Sequence, residues 1–112
     1  MTDCLFCKIR DGEIPADIIY EDDDCLAFRD INPKAPVHFL IIPRQHIENL
    51  FDTTPSDEGL LGRLQLKIPQ IAKEQGLDSG FRTVLNTGPG GYQEVYHMHY
   101  HVLGGGPFTG FN

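Results

Sequence analysis

His97, His99 and His101 stand on alternate positions in the run Tyr96-His97-Met98-His99-Tyr100-His101-Val102-Leu103-Gly104-Gly105. An extended backbone turns successive side chains to opposite faces, so the three imidazoles share one surface and Met98, Tyr100 and Val102 share the other. Imidazole titrates near neutrality and serves as nucleophile, acid, base or metal ligand. Ser, Thr or Lys would suit a merely solvated strand face as well. Three rings in one short strand therefore point to chemistry.

The segment just before them is rich in glycine. Thr87 to Tyr92 contains Gly88, Gly90 and Gly91, with Asn86 and Gln93 on either side. Glycines let a backbone approach a ligand closely, and amides aimed at one point suit a phosphate or an oxyanion. A histidine in the middle of the row can attack phosphorus while a neighbour protonates the departing group. The same row also admits a rival chemistry, in which His97, His99 and His101 are the ligands of a catalytic zinc. A third reading, from another class, is a regulatory protein that binds a nucleotide without needing to turn it over. Cys4-x-x-Cys7 is a two-thiolate half-site, which His46 and His97 can complete to four ligands.

These residues need a scaffold. Asp3 to Asp11 has Leu5, Phe6 and Ile9 at helical spacing, and Glu13-Ile14-Pro15 ends it. Asp17 to Glu21 and Cys25 to Ile31 are β-rich runs around the acidic turn Asp22-Asp23-Asp24, which reads as a hairpin with a solvated tip. After the loop Asn32-Pro33-Lys34-Ala35-Pro36, His38 to Arg44 is a third strand, nearly continuously apolar and so central. Thr54-Pro55-Ser56-Asp57 has the layout of a helix start, Leu60, Leu61, Leu64, Ile68, Ile71 and Ala72 form its buried stripe, and Gly76 stops it. Pro69 removes the amide that would bond the Gln65 carbonyl, which predicts a kink or interruption. Phe81 to Asn86 is a fourth strand and the histidine segment the fifth. Tight turns make the sheet antiparallel, the expected class is α+β, and the two helices are expected to cover one face of the sheet.

The 112 residues form a single domain spanning 1–112. The net charge of -7 disfavours a nucleic-acid polymer as partner, which needs a basic patch, but allows a single nucleotide held by amides. No apolar run approaches the ~20 residues of a membrane span, and the acidic start Met1-Thr2-Asp3 lacks a secretion-signal layout, so no membrane and a cytoplasmic location are expected. Three cysteines do not make a disulfide scaffold; Cys25, on a strand, reads as buried apolar filler.

The run His97 to Leu103 resembles the signature of the histidine triad (HIT) superfamily, in which histidines alternate with apolar residues. Phe6 to Ile9, Glu13 to Pro15, Ala27 to Ile31, Pro36 to Pro43, Gln93 to Tyr96 and Gly104-Gly105 are similar to its Hint branch of nucleoside phosphoramidases, in order over about residues 3 to 105. The resemblance implies a five-stranded antiparallel sheet with two helices, two copies pairing into a ten-stranded sheet in a homodimer. It implies hydrolysis of the P–N bond of purine nucleoside 5'-phosphoramidates, including AMP-amine and lysyl-AMP compounds, through a covalent nucleotidyl-histidine. On that pattern His99 is the nucleophile, His101 binds the phosphate and helps protonate the leaving amine, and His97 orients the cluster together with His46. Asp30 would hold the ribose hydroxyls, Ile31, Phe6 and Phe28 the base, and Asn86, Gln93 and the Glu94 backbone the phosphate. Some members of the superfamily hold structural zinc with the equivalents of Cys4, Cys7, His46 and His97. Related dinucleoside polyphosphate hydrolases commonly have glutamine in place of the third histidine, so His101 favours amine leaving groups. Where much of the branch reads Gly-Gly-Gln-Ser, this chain reads Gly91-Tyr92-Gln93-Glu94. The tail after Gly106, which in this family bears on the leaving group across the dimer, is short here.

Overall fold

The computed structural model describes residues 4–108, so the predicted helix start at Asp3 and the tail from Thr109 lie outside the described residues. Helix α1 (Leu5–Arg10) is followed by strands β1 (Ile18–Glu21), β2 (Cys25–Arg29) and β3 (Val37–Pro43), helix α2 (Glu58–Glu74), and strands β4 (Arg82–Leu85) and β5 (Tyr100–Gly104). The strands form one antiparallel sheet in the order β1-β2-β3-β5-β4. The acidic turn that joins β1 to β2 is built on Asp22, whose carboxylate accepts the amides of Asp24 and Cys25 at 2.8 and 2.9 Å. Burial works against that carboxylate, yet these bonds and one from the Tyr20 hydroxyl outweigh it and hold its pKa at about 2.

The two helices do not share a face. Cys25 and Ala27 of β2 and Phe39 and Ile41 of β3 pack with Leu64, Ile68, Ile71 and Ala72 of α2. Leu26, Phe28, Leu40 and Ile42 pack with Phe6 and Ile9 of α1. The expectation that both helices cover one side is therefore corrected: each covers its own side, and β2 and β3 are apolar over Cys25–Phe28 and Phe39–Pro43 because alternate residues feed different cores. Cys25, with no exposed surface, is filler in the α2 core, and burial pushes its thiol up to about 12.

Helix α2 begins beyond a short 3-10 turn at Pro55–Asp57, where the Asp57 carboxylate accepts the Thr54 amide at 2.9 Å. It runs without interruption through Pro69, contrary to one of the two outcomes predicted. Pro69 and Gln65 are exposed, so water can satisfy the carbonyl the ring leaves without a donor. Gly76, at φ +85°, ends the helix with its amide on the Lys73 carbonyl and the Leu77 amide on that of Ala72. No helix among the described residues is long and apolar enough to cross a membrane.

The predicted fifth strand is shorter than its histidine pattern. Pairing with β3 and β4 starts at Tyr100, so only His101 of the three lies in the ladder. His97 and His99 precede it, where the Met98 amide leaves the sheet and bonds the Ile47 carbonyl at 2.7 Å. β2 likewise stops at Arg29, and Asp30 closes a turn by accepting the Asn32 amide at 2.8 Å.

Candidate active site

A cavity of about 460 Å³ opens on the α1 side of the sheet. Phe6, Phe28, Asp30, Ile31, Asn86, Glu94, His99 and His101, which the family resemblance assigns to nucleotide binding and catalysis, all line it. Phe6 and Phe28 make an edge-to-face pair with centroids 5.4 Å apart, while Ile31 stands exposed at the rim. Phe6 also lies edge-on to the His99 ring at 5.0 Å and to the His97 ring at 6.2 Å, so one side chain of α1 braces both rings.

Hydrogen bonds assign the proton on each ring. His99 Nδ1 lies 2.8 Å from the His97 carbonyl, which can only accept, so Nδ1 carries the hydrogen and Nε2 is left with its lone pair. Burial lowers the His99 pKa against the opposing effect of that bond, so the ring is neutral at pH 7. A buried neutral imidazole with a free lone pair at a cavity wall can act as a nucleophile. His97 donates from Nε2 to the Pro43 carbonyl at 2.7 Å, so its own lone pair is on Nδ1. Burial takes its pKa down to about 4.

His101 is oriented by a residue that the sequence reading placed only as part of a strand. The backbone amide of Lys34 donates to His38 Nδ1 at 3.0 Å, which puts the His38 proton on Nε2. That nitrogen lies 2.9 Å from His101 Nδ1 and 3.4 Å from an Asp30 carboxylate oxygen. His101 Nδ1 therefore accepts, and its proton sits on Nε2. Burial, with the neighbouring His99 and His38 rings, lowers the His101 pKa to about 4. A histidine inside an otherwise apolar central strand was the signal available for His38.

Gln93 departs from its predicted place. It does not line the cavity; its oxygen accepts the Gly88 amide at 2.9 Å and Asn49 Nδ2 at 3.1 Å, and its nitrogen donates to the carbonyls of Glu48 at 2.6 Å and Val95 at 3.0 Å. Its hydrogen-bonding capacity is consumed inside the protein. It shapes the glycine loop instead of touching a phosphate, and Asn49, unforeseen in the sequence, anchors it to the segment after β3.

Cys4, Cys7, His46 and His97 come together on the far side of His97, with their ligand atoms all within 4.8 Å of one another. His97 Nδ1 lies 3.3 Å from Cys4 Sγ, 3.5 Å from Cys7 Sγ and 3.2 Å from His46 Nδ1, and Cys7 Sγ lies 3.3 Å from His46 Nδ1. A tetrahedral zinc with bonds of about 2.3 Å to sulfur and about 2.0 Å to nitrogen spaces its ligands by about 3.3 to 3.8 Å. The four donors fit that ion. The rival set of His97, His99 and His101 does not: their protonated nitrogens point to two carbonyls and the cavity, and among the described residues these three do not form a metal-holding group. Asp30, His38 and His101 do lie close enough, but the Lys34 amide forces a proton onto the His38 nitrogen that would have to ligate. That trio is a hydrogen-bond chain.

Comparison with known proteins matches residues 11–108 to the HIT domain. The chain is 51% identical over 104 residues to protein HitA of Neisseria gonorrhoeae, covering 93% of this chain and 97% of that one. It is 58% identical over 103 residues to an uncharacterized HIT-like protein of Synechococcus elongatus, covering 92% and 90%. Among solved structures, a HIT family hydrolase from Legionella pneumophila superposes with a TM-score of 0.93 at 48% identity over 97% of this chain and 98% of that one. A histidine triad protein from Clostridium difficile does so with a TM-score of 0.94 at 44% identity over 100% and 98%.

Proposed function

Because the chain belongs to the HIT domain family, we propose that it is a nucleotide hydrolase that cleaves the P–N bond of purine nucleoside 5'-phosphoramidates. The observation that carries this reading is the pair of complementary nitrogens in one cavity: a lone pair on His99 Nε2 and a proton on His101 Nε2, each fixed by a hydrogen bond on the other side of its ring. The nucleoside lies in the apolar slot of Phe6, Phe28 and Ile31, with its ribose hydroxyls on the two acceptor sites of Asp30 that Asn32 and His38 leave free. Asn86 and the Glu94 backbone hold the phosphate.

His99 Nε2 attacks phosphorus and the P–N bond breaks, leaving a nucleotidyl-histidine. His101 Nε2, the protonated nitrogen of that ring, passes its proton to the departing nitrogen as the P–N bond breaks. Water then attacks the phosphorus as the bond from phosphorus to His99 Nε2 breaks and returns the lone pair to that ring; His101 Nε2 takes back a proton from the attacking water, and AMP and a free amine are the products. His38, itself close to Asp30, holds His101 in the required tautomer.

The Cys4–Cys7–His46–His97 set would hold zinc as a structural ion remote from the reacting atoms, supplying no step of the reaction. Two copies pair through an edge of the sheet into a homodimer; β1 and β4 are the strands with an open side. Incubation with adenosine 5'-phosphoramidate tests the activity: AMP and ammonia are expected, in the presence of EDTA as well. Faster cleavage of a diadenosine polyphosphate than of the phosphoramidate would overturn the P–N assignment, and no cleavage of either would overturn the hydrolase reading.

A further inference from the structure

Tyr92 is the one non-glycine residue with a left-handed backbone among the described residues, at φ 62° and ψ 41°. It closes the Pro89–Gly91 turn with its amide on the Pro89 carbonyl at 3.1 Å. A side chain crowds the backbone in that conformation, and glycine or asparagine adopts it more readily. Tyr92 is 74% exposed, so burial does not compensate the strain, yet it lines the same cavity as His99 and His101. A strained residue that displays a large ring to solvent at the rim of a reactive cavity calls for a reason outside folding.

Its place in the cavity supplies one. The strand order sets Phe28 and Asp30, at the end of β2, on one side of His101, and Asn86, beyond β4, on the other. Tyr92 belongs to the loop after β4 and lines the cavity together with Asn86 and Glu94. If a nucleoside fills the slot beneath α1, the substituent on the phosphoramidate nitrogen is left the Tyr92 side.

We propose that Tyr92 determines leaving-group specificity, its ring serving as a platform on which an aromatic group carried by the departing amine stacks. The proposal rests on the hydrolase reading above. Offset or edge-on ring contacts add to simple burial.

The test compares three substrates, the AMP phosphoramidates of ammonia, n-butylamine and phenethylamine, with wild type, Tyr92→Phe, Tyr92→Leu and Tyr92→Gly. In wild type kcat/KM for the phenethylamine compound should exceed that for the butylamine compound by about threefold to tenfold, the range ring–ring contacts supply. Tyr92→Phe should keep that ratio, and Tyr92→Leu and Tyr92→Gly should bring it to about one. The melting temperature of Tyr92→Gly should not fall, because glycine relieves the backbone, and this separates specificity from loss of fold. An unchanged ratio in Tyr92→Gly overturns the proposal and leaves the hydrolase reading standing, since the ammonia compound is still cleaved. Equal losses on all three substrates in Tyr92→Leu also overturn it, because the ring would then serve the nucleotide. Failure of wild type to cleave the ammonia compound overturns both.

Discussion

The carbonyl of His97 accepts the Nδ1 hydrogen of His99 at 2.8 Å. One peptide group thus fixes the tautomer of the ring two residues further on, while the His97 side chain is itself pinned between the Pro43 carbonyl and the Cys4–Cys7–His46 cluster. The backbone can do this because it leaves the sheet before Tyr100: in a regular ladder that carbonyl would be bonded to a neighbouring strand.

His38 acts on the substrate through His101. Replacing it with phenylalanine keeps the packing of β3 but removes the donor that sets the His101 tautomer. We expect kcat to fall by about a hundredfold, within the range of acid–base contributions, with KM changed far less. Steady-state kinetics check this, and an equal loss in both parameters would place His38 in binding.

Gln93 tests the glycine loop. Gln93→Ala leaves the Gly88 amide and the Glu48 and Val95 carbonyls without their partner, at a cost of about 2 to 4 kcal/mol. Denaturant unfolding measures it; a change below about 1 kcal/mol would mean that water replaces the amide without loss.

Zinc should be found at about one ion per chain by elemental analysis of protein purified without chelators. Cys4→Ala with Cys7→Ala should lose the ion and lower the melting temperature. Absence of zinc from wild type, or an unchanged melting temperature in the variant, would dismiss the ion.

Acid should weaken both fold and activity. The His101 pKa near 4 lies below the ordinary 6.5, so the unfolded chain binds the proton more readily than the folded one. The stability this gives, at most about 3 kcal/mol, is complete above pH 6.5 and is lost as pH falls towards 4. His38, lowered by burial, adds in the same direction. Melting temperature against pH should show the decline in wild type and a smaller one in His101→Gln. The pH–rate profile should keep His99 active below 6.5, since burial lowers its pKa too.

Much of this arrangement is legible in the chain, for identifiable reasons. Thr54-Pro55 and Gly76 mark the ends of the long helix because capping and left-handed geometry demand particular residues. Asp30, Asn86, Glu94, His99 and His101, which the family resemblance assigns to one site, line one cavity. The side each helix covers differs from the expectation, and the apolar runs Cys25–Phe28 and Phe39–Pro43 carry the reason, since they require two covered faces. Gln93 could not be placed, because an amide that saturates internal partners has the same composition as one that meets a phosphate. The early end of the β5 ladder depends on a bond from Met98 to Ile47, a contact across the chain that no local pattern encodes.

Rapid quenching of turnover with adenosine 5'-phosphoramidate, followed by intact-mass and peptide mass spectrometry, addresses the central claim directly. The account predicts one adenylyl group on the peptide containing His99, absent from His99→Ala, whose turnover drops by at least about a thousandfold while AMP still binds. No adduct in wild type, together with substantial turnover by His99→Ala, would contradict it.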